Sequence, residues 1–189
     1  MITGVSVVRD DLKKVLRQIY EATGDEVLIG IPQETASRDD GEEPNNAERG
    51  FIHEYGSPLQ HIPARPWLNP SVESIKGKAA DRMAAGLRQA LDGNAKAALQ
   101  ALTAVGIMGM SACVIRIRRK IPPGLSRRTM EARIARKQGS GVRIGKGAKA
   151  ELAYRAANPG AGLSMEETTP LIDTAAFVQS IKYVIRKRK

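Results

Sequence analysis

The chain has 189 residues, a formal net charge of +10, and a hydrophobic fraction of 42% with an aromatic fraction of only 4%. This is enough aliphatic material for the core of one ordinary domain and excludes wholesale disorder. The single Cys113 excludes an internal disulfide framework and a multi-cysteine zinc site; with no signal-like start and no apolar run of ~18–20 residues, a soluble intracellular chain is expected.

Residues 2–9 carry Val5, Val7 and Val8 and read as a short strand. Asp10 or Asp11 then caps a helix to about Ala22. Its Leu12, Val15, Leu16 and Ile19 share one face of a 3.6-residue period, and Gly24 is its stop. Glu26–Ile31 (EVLIGI) reads as a strand ended by Pro32. The polar, acidic stretch 33–46 reads as an exposed loop, mobile over 33–44. Asn46 is expected to cap a short helix, Ala47 to Tyr55, closed by Gly56. Residues 57–70 contain four prolines, which excludes regular structure, yet they also carry Ile62, Trp67 and Leu68. Proline lowers the entropy cost of fixing such a loop, so a rigid, docked loop is expected.

A second helix is predicted over 71–92 with Ser71 as its cap. A third runs from Asn94 to about Ile121 and presents Leu99, Leu102, Gly106, Met110, Cys113, Val114, Ile117 and Ile121 on one face. A strand over 112–119 competes with its end, because Ile115 and Ile117 alternate with Arg116 and Arg118; the helix is the preferred reading. Pro122–Pro123–Gly124 ends the element. Residues 125–137 form a short basic helix with Ser126 as cap, and the Gly, Ala and Ser-rich stretch 138–168 reads as a long insertion. A turn at 169–174 leads into a helix over Thr174–Ser180 and a last strand over 181–187. The expected fold is α+β and a single domain over 1–189. A small antiparallel sheet from 2–9, 26–31 and 181–187 is packed by helices near 11–22 and 95–121, one of them long and central, with extended loops.

The charge is concentrated. Residues 1–60 are net −6, 61–111 net +3, 112–150 net +11 and 151–189 net +2. A dense basic segment attracts phosphates without reading sequence, through Arg116, Arg118, Arg119, Arg127, Arg128, Arg133, Arg136 and Lys137. That segment contains no aromatic side chain on which bases could stack. An acidic first third beside a basic middle also serves contact between copies of one chain.

No catalytic constellation is visible. His53 and His61 lack metal-ligand spacing, and His53 and Glu54 are neighbours whose side chains diverge on a helix. Cys113 lies among Met108, Met110 and Val114, a setting for a buried, unreactive thiol. The glycines and Lys146 of GSGVRIGKG (139–147) lack the Ser/Thr and the helix of a phosphate loop. Asp39, Asp40, Glu42 and Glu43 lack the spacing of a calcium loop. No metal, cofactor or catalytic residue is expected.

Four stretches stand out: NNAERGFIHEYGS (45–57), IPARPWLNP (62–70), IPPGLSRRT (121–129) and TPLIDTAAFVQSIKYVI (169–185). In this order they resemble the tail-completion, or virion morphogenesis, proteins of long-tailed phages and prophages. The match covers most of the chain outside 33–44 and 138–168. It departs from the family pattern at Ala175, where a glycine is usual, and at Phe177. The resemblance implies a non-enzymatic structural protein of the virion, made in the host bacterial cytoplasm and acting at the head–tail junction. It also implies a homo-oligomeric, six-membered ring in the neck, contacts with connector and tail-tube proteins, and genomic DNA passing nearby. No membrane partner is implied. Ile62, Pro63, Arg65, Pro66, Trp67 and Leu68 are expected to form either a docking loop for assembly or a local plug of the core.

Overall fold

The computed structural model of the chain describes residues 12–37, 43–139, 150, 153–154, 156–158, 170–172 and 176–188. The elements in chain order are α1 (Leu12–Thr23), β1 (Asp25–Gly30), α2 (Gln33–Ala36), α3 (Asn46–Tyr55), a 3-10 turn at Pro58–Gln60, α4 (Asn69–Leu91), α5 (Ala97–Arg118), α6 (Arg127–Gly139), α7 (Ala176–Ser180) and β2 (Lys182–Lys187). The fold is α+β and dominated by helices. The expected strand at 2–9, most of the 138–168 insertion and residues 38–42 lie outside the described residues.

The hairpin of α4 and α5 is the frame. The two long helices approach closely because small residues face each other. A Cβ on Gly86 would collide with the methyl of Ala101 and lie 2.9 Å from the carbonyl oxygen of Ala97. The sheet crosses α5 by the same device: a Cβ on Gly106 would enter the Tyr183 ring, and one on Gly109 would meet the Ile29 side chain. Glycine weakens an isolated helix by about 1 kcal/mol per residue, so α5 is held by what it packs against. Residues 97–115 include no charged side chain. α5 is therefore long and apolar enough to cross a bilayer by length and composition, which corrects the expectation that no such run exists. Here it is the central helix of a mixed fold, with Ala101, Leu102, Val105, Cys113 and Ile117 buried.

β1 and β2 pair antiparallel, Asp25 opposite Lys187 and Gly30 opposite Lys182. Among the described residues the sheet has these two strands. Its inner face sets Ile29 and Tyr183 against α5, while Leu28 and Val184 face outward. Arg186 reaches Glu26 at 2.8 Å and Lys187 reaches Asp25 at 2.9 Å across the strands; such exposed pairs add at most about 1 kcal/mol each.

Several predicted details differ. Gln33–Ala36 is a helical turn rather than loop: Ala36 is buried and the Thr35 hydroxyl donates to the carbonyl of Ser180 at 2.8 Å. α3 is capped by Asn45, not Asn46, because only Asn45 has a glutamate three residues on to complete a capping box. Asn46 is instead buried and donates to the carbonyl of Ser37. Ser71 is not the cap of α4, which starts two residues earlier with Pro70 in its first turn. α5 ends at Arg118, short of Ile121, as Lys120 turns into the left-handed region at φ +62°. The face predicted for it is largely inward, but Leu99 is half-exposed. Ser126 caps α6 as expected, accepting the Thr129 amide at 3.2 Å.

Candidate functional site

The motif segments meet at the C-terminal end of α3 and the N-terminal end of α4. α3 starts with a double cap, the Asn45 side chain accepting the amides of Ala47 and Glu48 while Glu48 accepts the amide of Asn45. It stops at Gly56, whose φ of +77° favours glycine and whose Cβ, if present, would strike the backbone of Ile62 and Ala64. The turn that follows is closed by Ser57 and Ile62, paired as an isolated bridge, and it sends Arg65 back alongside α3, where its amide donates to the carbonyl of His53 at 2.6 Å.

Glu54 sits at the centre of this junction and is 7% exposed. One carboxylate oxygen accepts the amides of Trp67 at 2.7 Å and Leu68 at 2.8 Å; the other accepts the amide of Asn69 at 2.9 Å. Position 68, which precedes α4, is a leucine and supplies no side-chain cap. A helix start needs acceptors for its free amides and favours negative charge. Glu54, contributed by another helix, meets both needs. Sequence reasoning missed this role, since Glu54 was read only as a neighbour of His53. The available signal was the lack of an Asp, Asn, Ser or Thr directly before a helix that opens on Asn69–Pro70.

Trp67 is 3% exposed, and its indole donates to the carbonyl of Gly50 at 3.0 Å. Gly50 is buried beneath it; a Cβ there would crowd Ile31 and Trp67. The ring packs edge-on against Phe177 at 5.3 Å, and Phe177 packs edge-on against His53 at 5.7 Å. Trp67 joins Cys113, Ile117, Ile121, Leu171 and Ile181 in one buried cluster. Arg65 is also buried, and its guanidinium donates to the carbonyls of Pro123 at 3.0 Å and Gly124 at 3.2 Å. The loop 62–68 is therefore docked on its own chain. Arg65 and Trp67 point into the core, Ile62, Pro66 and Leu68 are half-buried, and Pro63 is exposed. The expectation that this loop presents Arg65 and Trp67 to a partner is corrected: an indole needing an acceptor and a guanidinium needing carbonyls both find them inside the chain.

The basic candidates divide. Arg116 is half-buried and structural, its Nε donating to the carbonyl of Pro66 at 2.7 Å. Arg118, Arg119, Arg127 and Arg128 are exposed where α5 hands over to α6, with Arg127 paired to Glu131 at 2.8 Å. Arg133, Arg136 and Lys137 lie on α6, and their side chains fall outside the described residues. Cys113 is fully buried, and burial pushes its thiol up to about 11; a hydrogen bond with Ser71 offsets part of the rise and the Glu54 charge adds to it. Among the described residues, no group of three His, Cys, Asp or Glu side chains is placed to hold a metal ion. A separate cleft of about 260 Å³ lies between α4 and α5, lined mainly by Met83, Leu87, Ala98 and Leu102, with Arg188 at its edge. Comparison with protein-family models, curated proteins and solved structures finds no match for this chain.

Proposed function

We propose that the chain is a structural protein of a long-tailed phage or prophage particle, completing the tail at the head–tail junction by assembling with copies of itself and joining tail to head. One observation carries the reading. The four stretches behind the family resemblance are joined to one another: Glu54 to Trp67, Leu68 and Asn69; Arg65 to Pro123 and Gly124; Trp67 to Phe177. Residues that recur together as a pattern for architectural reasons are expected to touch in this way. The buried charged side chains of the pattern, Glu54 and Arg65, hold backbone rather than facing a cleft, which suits a subunit built for assembly. Labelling with an antibody to this chain in particles of the phage or prophage encoding it is expected to mark the neck, and loss of the gene to leave filled heads and separate tails. Normal joined particles without the protein overturn the proposal.

A second reading, sequence-independent binding of nucleic acid, is supported by the exposure of Arg118, Arg119, Arg127 and Arg128 at one helix junction. Its test is the salt dependence of binding to random duplex DNA. Removing Arg118, Arg119 and Arg128 is expected to flatten the slope if they meet phosphates.

A further inference from the structure

Two rows of large apolar side chains stand on the surface, each spaced by four residues. On α1 the row is Leu12, Leu16 and Tyr20; at the end of α3 it is Phe51 and Tyr55, and Leu59 is exposed on the 3-10 turn that follows the break at Gly56. All six are between 56% and 96% exposed. Scattered exposed apolar residues are ordinary, but aligned ones mark contact surfaces. The aromatic rings deserve particular weight in so aromatic-poor a chain: Phe51 and Tyr55 lie 4.9 Å apart, packed on each other and not on the core.

The surroundings of the two rows carry opposite charge. Leu12–Thr23 holds three basic residues and one acidic. Among the described residues that lead into and open α3, Glu43 and Glu48 are acidic and Arg49 is basic. The basic side chains Lys13 and Arg17 follow the Tyr20 edge of the α1 row, and Glu43 and Glu48 are exposed ahead of the α3 row. Within the chain, α1 packs against α4, α5 and β1, and α3 against α2 and α7.

We infer that the Leu12–Leu16–Tyr20 row of one copy docks on the exposed Phe51–Tyr55 pair of a second copy. The partner is thus another copy of this chain. Opposite charge sets the pairing and the apolar rows supply the attraction. Because the two surfaces differ, the contact is head-to-tail, leaves one of each surface open, and repeats until a ring closes. The inference deepens the proposed assembly role and rests on it.

The test is native mass spectrometry and sedimentation of the full chain, of Leu16→Glu, of Tyr55→Lys and of their equimolar mixture. Both substitutions are at exposed positions, and circular dichroism and thermal melting check that each variant is folded. The wild type is expected to form oligomers that weaken as salt rises. Each variant is expected to associate at least about tenfold more weakly, a loss of about 1.4 kcal/mol. The mixture is expected to recover a one-to-one dimer and nothing larger, since one intact surface of each kind remains. Oligomers unchanged in either variant, a mixture no more associated than its parts, or a monomeric wild type overturns the pairing. Unchanged oligomers leave the neck reading standing, whereas joined particles without the protein overturn that reading and leave the mixing result intact.

Discussion

Removing the carboxylate of Glu54 is expected to destabilise the fold far more than an ordinary helix-cap change. Glu54→Ala leaves three amides, those of Trp67, Leu68 and Asn69, without their acceptor. An unmet buried donor costs about 1–3 kcal/mol. The Trp67 amide lies deepest and falls at the upper end; Leu68 and Asn69 are nearer solvent and recruit water, which puts them at the lower end. Relief from keeping a charge buried offsets part of this. The balance is a loss of about 3–4 kcal/mol, and about 2 kcal/mol for Glu54→Gln, which keeps one acceptor oxygen but turns an amide group toward a donor. Trp67 is the only tryptophan and reports directly on this junction. Urea unfolding followed by its fluorescence is expected to show the midpoint of Glu54→Ala lowered by about 1–2 M, given a slope of about 2–3 kcal/mol/M for a chain of this size. A shift below about 0.3 M would refute the view that this carboxylate caps α4.

Three further outcomes follow from the same packing. Because burial holds the Cys113 thiol protonated up to about 11 from an ordinary 9.0, the unfolded state binds fewer protons between those values. Stability is therefore intact below about pH 9 and falls as pH rises towards 11, by at most about 3 kcal/mol; Cys113→Ala should flatten this alkaline limb in urea midpoints measured across pH. Gly86→Ala and Gly106→Ala each force a methyl into an occupied space, against α5 and Tyr183 respectively. Each should cost about 1–3 kcal/mol, read as a melting temperature lower by roughly 2–4 °C per kcal/mol. Trp67→Ala should lose about 3–5 kcal/mol of stability, while Arg119→Ala should stay within about 0.5 kcal/mol; any assembly defect of the former then tracks the unfolded fraction measured in the same sample.

Local pattern carried much of this fold. The 3.6-residue period made α1 and α5 legible, and Gly56 and Ser126 marked the end of α3 and the start of α6, because caps and positive-φ glycines are read within a few residues. The choice between Asn45 and Asn46 was also readable, since Glu48 completes a capping box with only one of them. The cap of α4 was not, because its acceptor comes from Glu54, 13 to 15 residues away, and nothing local distinguishes it from a surface glutamate. Arg65 failed for a related reason: a charged residue is rarely buried, and its partners are the carbonyls of Pro123 and Gly124, which carry no side-chain signal. The apolar stripe of α1 was legible as a stripe, but periodicity says only that such a face is covered, not by what.

The pairing of β1 with β2 joins Asp25 to Lys187, so the sheet closes almost the whole described chain. Contacts this distant in sequence carry a large loop-closure entropy and form slowly unless something shortens the loop first. The α4–α5 hairpin, joined by a short turn, is local and provides that shortening. During synthesis the hairpin is available early, whereas β1, Ile29 and the face of α5 that takes Tyr183 stay uncovered until residues 182–187 have been made. The nascent chain therefore carries an unsatisfied strand edge from residue 30 until β2 is made, and an uncovered face of α5 from residue 118, and its yield in cells is expected to depend on holding chaperones more than its final stability alone would require.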